Sequence, residues 1–178
     1  MPVYFHEYGW DNFLWLCDLA NFILGAALVL ESRLLFSSQA VGVLVVQIVW
    51  TLDAASRLFF GRHFVGGTEY MFDPAIPILL RLFSLFHVFV PAILVWGVWR
   101  LGYDKRGLWL QSAITGVALA LAFFFTDPAE NINWVRRPFG LEQKLVPPIV
   151  WMFACMILYP LALYYPTHRA LARLFKHG

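Results

Sequence analysis

The chain has 178 residues, of which 61% are hydrophobic and only 13% charged, and its formal net charge is +2. Soluble domains carry about 25% charged residues, so the composition predicts a single all-α integral membrane domain spanning residues 1–178. The weak net charge and the lack of a basic run argue against a nucleic-acid partner. The two cysteines, Cys17 and Cys155, form no zinc or disulfide motif, and neither a metal nor another cofactor is expected.

Five apolar runs predict a compact bundle of about five transmembrane helices, since about 20 apolar residues span the hydrocarbon core. In chain order they cover residues 13–30, 40–60, 76–99, 108–125 and 149–165. Pro91 predicts a kink in the third run. Residues 126–148 are expected to form a loop on the outer side, and the basic, amphipathic residues 166–178 to form a tail on the membrane surface.

Lysine and arginine residues predict the orientation of the chain, because positively charged loops stay in the cytoplasm. With five spans, one side carries Arg33, Arg100, Lys105, Arg106, Arg169, Arg173 and Lys176, and the other carries Arg62, Arg136, Arg137 and Lys144. The first side is richer, which places the N-terminus outside and the C-terminus in the cytoplasm. The N-terminal segment lacks the positive charges of a signal peptide, so the first run is expected to stay as a helix. The expected location is a bacterial inner (cytoplasmic) membrane.

Polar residues of the first three predicted helices lie at similar depth, toward the outer side. They are Cys17, Asp18, Asn21, Asp53, Arg57, Arg81, Ser84 and His87. An unpaired charge in hydrocarbon is costly, so we expect Asp53 to pair with Arg57 and Asp18 with Arg81. The charges could simply hold the helices in register, or they could line a pocket that opens to the outer leaflet.

Three features of these regions have more than one interpretation. His87 fits an interhelical hydrogen bond, a general base, or a ligand of a pigment, haem or metal. Cys17 fits an inert buried thiol or a nucleophile activated by His87 or Arg81. The polar residues of the outer loop fit a lid or an ordered cap on the bundle, and they are Asp127, Asn131, Asn133 and Trp134.

The stretches FLWLCDLANFILG around Cys17 and LFSLFHVFVPAIL around His87 resemble two helices of a known family. The family comprises small integral-membrane hydrolases and acyltransferases of the androgen-induced-protein type and their bacterial relatives. The resemblance covers about the first half of the chain and implies that the substrates are lipid esters. It also implies that Cys17 attacks the carbonyl and His87 takes its proton. Asn21, Ser84 or Arg81 would then stabilise the oxyanion or the lipid head group.

A second interpretation is a non-catalytic accessory subunit of a larger membrane complex, for example an energy-transducing one that holds pigments or quinones. Eight tryptophans and 17 phenylalanines in a short chain suit a scaffold that faces lipid and partner. The expected partners are membrane lipids and either another membrane protein or a second copy of the chain. A transporter or channel is disfavoured because the sequence has no internal repeat.

Overall fold

The computed structural model describes residues 5–7, 9–142 and 144–175, and this part of the chain contains helices and no strand. The helices are α1 (Leu16–Val29), α2 (Arg33–Phe60), α3 (Ile78–Phe83), α4 (Phe86–Leu101), α5 (Gly107–Phe125), α6 (Pro148–Leu158) and α7 (Tyr165–Leu174). A π-helical segment, Tyr159–Tyr164, joins the last two. Short 3-10 turns cover Asp11–Leu14, Glu69–Phe72, Ile132–Trp134 and Pro138–Gly140. The predicted all-α class is confirmed.

In the described part of the chain, four helical stretches are long and apolar enough to cross a membrane. They are Arg33–Phe60, Ile78–Leu101, Gly107–Phe125 and Pro148–Leu174, and they correspond to the second to fifth predicted spans. The first predicted span forms α1, which has 14 residues and is therefore about 21 Å long. This length is below the roughly 30 Å of a hydrocarbon core. The helix is short because a 3-10 turn, Asp11–Leu14, takes up the start of the apolar run.

Helix α2 lies at the centre of the fold and contacts α1, α4, α5 and α7. It begins before the predicted residue 40, at Arg33, where the Ser32 hydroxyl accepts a hydrogen bond from the Leu35 N–H at 3.4 Å and caps the helix. All of residues 36–44 are buried. Small side chains in this stretch allow neighbouring helices to approach closely, as helices do in membranes.

The third predicted span is interrupted at Ser84 and Leu85, between α3 and α4, and α4 runs unbroken through Pro91. Proline has no N–H that could donate a hydrogen bond to the carbonyl four residues earlier in a helix. For Pro91 that carbonyl belongs to His87. The Thr51 hydroxyl of α2 donates to that carbonyl at 3.0 Å. Helix α4 therefore continues through Pro91, because a side chain of a neighbouring helix replaces the missing backbone donor.

The fifth span and the tail form one helical stretch, which corrects the prediction of a separate tail at residues 166–178. The helix continues from Pro148 to Leu174 through the π-helical segment, which contains Pro160, a residue without an N–H. In α7, Thr167 and Leu171 are buried, so the amphipathic helix packs one face against the bundle. Residues 176–178, including Lys176, lie outside the described residues.

The bundle has two ends, which we name after residues of α2. At the Gly61 end, α2 and α5 end and α3 and α6 begin; at the Arg33 end, α2 and α5 begin and α1 and α4 end. Gly61 closes α2 with a φ of 74°. This left-handed conformation is common for glycine after the last turn of a helix, and here it turns the chain back toward the bundle.

Candidate functional site

A buried carboxylate organises the Gly61 end. Asp53 lies in the second half of α2 and is only 1% exposed. Its Oδ1 accepts hydrogen bonds from the backbone N–H groups of residues 64–66 at 2.7 to 3.1 Å. Its Oδ2 accepts from the Thr68 hydroxyl at 2.5 Å and lies 3.0 Å from His63 Nδ1. Burying a charge is costly unless it is paired and hydrogen-bonded, and here five donors surround the carboxylate.

The chain reaches Asp53 because α2 stops at Gly61 and folds back over its own last turns. The Ser56 hydroxyl donates to the Arg62 carbonyl at 2.8 Å, which fixes the first residue after the turn. Gly66 and Gly67 both have a φ of 91°, a conformation that favours glycine. These residues let consecutive N–H groups point at one carboxylate oxygen.

His63 is held by this carboxylate through one ring nitrogen. Its Nδ1 lies 3.0 Å from Asp53 Oδ2 and 2.9 Å from Thr68 Oγ1, and its ring packs edge-on against Phe72 at 5.8 Å between centroids. The His63 side chain is 20% exposed, against 1% for Asp53. Within the described residues, Nε2 makes no hydrogen bond. It is also not one of the buried polar atoms that lack a partner. That nitrogen is therefore accessible from outside the protein.

An imidazole whose Nδ1–H donates to a carboxylate has its lone pair on Nε2 and can accept a proton there. The carboxylate also stabilises the cation that forms. A protein metal site needs three or more ligands of suitable type, and the described residues contain no group of three such side chains. The chemistry that this pair of residues can perform by itself is proton transfer.

Neither of the two predicted ion pairs is formed in the described part of the chain, which corrects that expectation. Among the described residues, the ion pairs do not include Asp53 with Arg57 or Asp18 with Arg81. Arg57 donates instead to the carbonyl of Gly61. Arg81 Nη1 donates to the carbonyl of Met71 at 3.2 Å. Both guanidinium groups therefore support the turn and loop that cover Asp53.

His87 is buried, and its ring contacts both α2 and its own segment of the chain. Its Nδ1 lies 2.8 Å from the carbonyl oxygen of Ser84. Its ring is stacked between Trp50, at 4.3 Å, and Phe86, at 4.1 Å. The carbonyl of Ser84, rather than its hydroxyl, is thus the group that orients this histidine.

Cys17 lies in the first turn of α1 and is half-buried. It interacts electrostatically with Asp18 and with Tyr159 and Tyr164 of the π-helical segment. In the described part of the chain no hydrogen bond joins its thiol to His87. Asn21 donates to the Cys17 carbonyl at 3.2 Å, within its own helix.

The loop between α5 and α6 caps the start of α1. Asn133 is buried, accepts a hydrogen bond from the Leu16 N–H at 3.0 Å and donates to the Leu14 carbonyl at 2.8 Å. Asn131 accepts from the N–H groups of Arg136 and Arg137, both at 2.9 Å.

The remaining two residues of the predicted lid have different settings. Trp134 packs edge-on against Trp15 at 5.6 Å between ring centroids, and its carbonyl accepts from the indole of Trp151 at 2.9 Å. Asp127 is exposed, and its carboxylate accepts from the nearby Ala129 N–H at 2.8 Å. Asn133 and Trp134 therefore fix the loop on the bundle, whereas Asn131 orders the loop itself.

Buried amides form a second polar feature in the core. Gln39 donates to Gln111 at 3.1 Å, Gln111 donates to Thr115 at 3.4 Å, and the Thr115 hydroxyl lies 2.7 Å from that of Tyr164. Gln47 is fully buried, and neither its side-chain nitrogen nor its oxygen has a hydrogen-bond partner.

Sequence reasoning missed His63 and Thr68, because both lie outside the apolar runs and a histidine in a loop carries no periodic signal. The available signal is the set of glycines that follow α2, at positions 61, 66 and 67. They mark a chain reversal within reach of the last polar residues of the helix. Comparisons of the chain with protein-family models, curated proteins and solved structures found no match.

Proposed function

We propose that this protein is a membrane-embedded hydrolase or acyltransferase that acts on lipid esters, with His63 as its general base. The observation that carries the proposal is the Asp53–His63 pair, in which a buried carboxylate holds Nδ1 and leaves Nε2 accessible. A positioned histidine is the commonest general base in enzymes. In this proposal Asp53 is a positioning residue and His63 the catalytic one.

The surroundings of His63 support a substrate that resides in the membrane. Four strongly exposed apolar side chains flank it in the chain, with 69% to 81% of their surface accessible. They are Phe59, Phe60, Phe64 and Val65. Exposed apolar patches on proteins mark contacts with membranes or apolar ligands. An ester-linked acyl chain could lie along these side chains while its carbonyl meets the imidazole.

The proposed reaction transfers one proton in each direction. Nε2 of His63 takes a proton from water, or from an acceptor alcohol in the transferase reaction, and the oxygen forms a bond to the ester carbonyl carbon. The bond between that carbon and the leaving alcohol oxygen then breaks. The imidazolium returns its proton to the leaving oxygen, so the base is regenerated.

The proposal includes a topology. The chain crosses a bacterial inner membrane about five times as a compact bundle, with α1 and the turn before it forming the first crossing. The N-terminus lies outside and the C-terminus in the cytoplasm, which puts the Gly61 end outside. The distribution of lysine and arginine supports this orientation.

The test uses the purified full chain in vesicles, assayed on a panel of phospholipid, lysophospholipid and acylglycerol esters. His63→Gln should lower the rate at least about 100-fold, the usual contribution of a general base. The matched control is His6→Gln, because His6 is highly exposed and distant in sequence; this variant should keep the wild-type rate.

Two further variants test the rival mechanism implied by the family resemblance, in which Cys17 is the nucleophile and His87 the base. If Cys17→Ala or His87→Gln abolishes turnover while His63→Gln keeps it, the role of His63 is refuted and the rival is supported. If no ester is turned over and a membrane protein co-purifies in stoichiometric amount, the accessory-subunit interpretation replaces the enzymatic one.

A further inference from the structure

An arginine lies close to His63 at the Gly61 end. Arg57 is in the last turn of α2 and is exposed. Its guanidinium carbon lies 5.8 Å from the centre of the Phe72 ring, and the centre of the His63 ring lies 5.8 Å from the same point. The guanidinium and the imidazole are therefore at most twice 5.8 Å apart. A fixed positive charge thus accompanies the proposed base.

Two contacts hold the guanidinium group of Arg57 in this position. Nη1 donates to the carbonyl of Gly61, and the group packs over the Phe72 ring as a cation on an aromatic face. The loop that carries Phe72 is itself fixed, because Arg81 donates to the carbonyl of Met71 at 3.2 Å. A guanidinium group has five N–H donors in a planar fork. Its hydrogen bond to Gly61 therefore leaves donors that an outside ligand can use.

The charge of Arg57 is not neutralised by a carboxylate of the described residues, whose ion pairs do not include it. The two carboxylates of the loop after α2 bond to backbone N–H groups of their own turns. Glu69 accepts from Gly67 at 2.6 Å, and Asp73 accepts from Ala75 at 2.8 Å. The guanidinium is therefore available to an anionic group from outside the protein.

The position of Arg57 along α2 matches the level of lipid head groups. The next three residues, Leu58, Phe59 and Phe60, are 69% to 76% exposed, and the helix ends at Phe60. Arginine side chains near the ends of membrane-spanning helices extend their charge to the interface. The phosphate groups of membrane lipids lie at this level.

We propose that the lipid ester on which His63 acts carries a phosphate group, and that Arg57 binds this phosphate. The inference rests on the proposed function and names its substrate class, the glycerophospholipids. In such a lipid five or six bonds separate each ester carbonyl carbon from the phosphorus, which puts them at most about 8 Å apart. A guanidinium that binds a phosphate through two parallel N–H groups has its carbon about 4 Å from the phosphorus. The spacing of His63 and Arg57 allows both contacts at once.

The experiment measures the binding of lipids that cannot be cleaved, because ether links replace their esters. The purified full chain in neutral detergent is titrated with diether phosphatidylglycerol or with uncharged diether glycerol, and the Tm reports binding. We expect the phosphate-bearing lipid to bind more tightly. Arg57→Gln should weaken its binding at least about tenfold, the effect of losing a hydrogen bond to a charged group. Arg57→Lys should recover part of the loss, because it keeps the charge but not the planar fork.

The matched control is Arg100→Gln. Arg100 is also exposed and lies over an aromatic ring, that of Trp96, at 5.7 Å, but it belongs to the Arg33 end. This variant should bind both lipids as the wild type does. If Arg57→Gln weakens both lipids equally, or if the two variants have equal effects, Arg57 only supports the loop and the proposal is overturned. It is also overturned if glycerol phosphate raises the Tm as much as the diether phospholipid, because the ligand is then a soluble phosphate.

The outcome is distinguishable from failure of the proposed function, since the probes bind without being cleaved. Turnover of acylglycerols alone, with no preference for the phosphate-bearing probe, would refute the role of Arg57 and leave His63 as the base. Binding of diether phosphatidylglycerol that depends on Arg57, without turnover of any ester, would support the phosphate site. It would refute the proposed function and the assignment of the lipid as a substrate.

Discussion

Asp53 is the residue on which the structure of the Gly61 end depends, because hydrogen bonds from His63, from the backbone of residues 64–66 and from Thr68 converge on its carboxylate. Asp53→Asn keeps the shape but replaces one acceptor oxygen by an NH₂ group that faces donors. Breaking a buried charged network costs about 3 to 5 kcal/mol, and we expect a loss of at least about 2 kcal/mol of unfolding free energy. The measurement is unfolding of the detergent-solubilised protein.

The control for this variant is Asp127→Asn, because Asp127 is exposed and bonds only to its own loop. Surface substitutions change stability by about 0.5 kcal/mol or less. If the two variants unfold alike, the carboxylate of Asp53 does not hold the loop.

Gln47 provides a second prediction at the scale of a single residue. A buried amide without partners costs about 1 to 3 kcal/mol, so Gln47→Leu should stabilise the protein by about 1 kcal/mol. Gln111→Leu removes an amide that is bonded to Gln39 and Thr115 and should destabilise it. Thermal unfolding of both variants tests the contrast. A loss of stability in Gln47→Leu equal to that in Gln111→Leu would mean that the Gln47 amide has a partner after all.

At the scale of helices, close packing at the Arg33 end depends on a glycine. A Cβ on Gly107 of α5 would overlap the backbone of Ser37 and Ser38 in α2, whereas a Cβ on Gly116 of the same helix meets open space. Overpacking costs about 1 to 3 kcal/mol, so Gly107→Ala should lower the unfolding free energy by that amount. Gly116→Ala should raise it by about 0.5 to 1 kcal/mol, the difference in helix propensity. Equal effects of both substitutions in thermal unfolding would contradict the packing of α5 on α2.

Helix positions were predictable from the sequence where local signals decide them, and not where a neighbouring helix does. The span at residues 108–125 matches α5 to one residue because the chain before it is polar and the run itself carries no charged side chain. The sequence around Pro91 does not show that α4 continues through it, because the hydroxyl that bonds the His87 carbonyl, on Thr51, lies 40 residues before Pro91 and on another helix. The helix after Tyr165 continues for a similar reason, since α7 gains burial for Thr167 and Leu171 in the bundle.

The candidate site was predictable only in part. The sequence identified Asp53 as a buried charge that needs partners, and this follows from its position in an apolar helix. The prediction from the sequence paired Asp53 with the wrong residue, Arg57. Arg57 is four residues further along α2, and residues four apart lie side by side on the surface of a helix. The true partners of Asp53 lie in the loop after Gly61, and the periodicity of a helix does not predict contacts with a loop. Cys17 and His87 have suitable residue types, but spacing along the chain does not fix the distance between them.

At the scale of the whole molecule, the prediction concerns orientation. With Cys17 and Cys155 replaced by alanine, single cysteines are introduced as Lys144→Cys and Lys105→Cys, near opposite ends of the bundle. A membrane-impermeant thiol reagent added to intact bacterial cells should label the first and not the second, because the proposed orientation puts the Arg33 end in the cytoplasm. The reverse pattern would invert the topology and place His63 inside. Lysed cells, in which both positions should react, provide the control.

The central claim is that Asp53 acts by holding His63 as a base, and a double-mutant cycle on the rate of lipid-ester cleavage tests it most directly. The rates of Asp53→Asn, His63→Gln and the double variant are compared on folded protein isolated by gel filtration. Residues that act as one unit lose activity non-additively. We predict that the double variant is no slower than His63→Gln alone. If the two losses multiply in the double variant, Asp53 and His63 act independently and the account is contradicted.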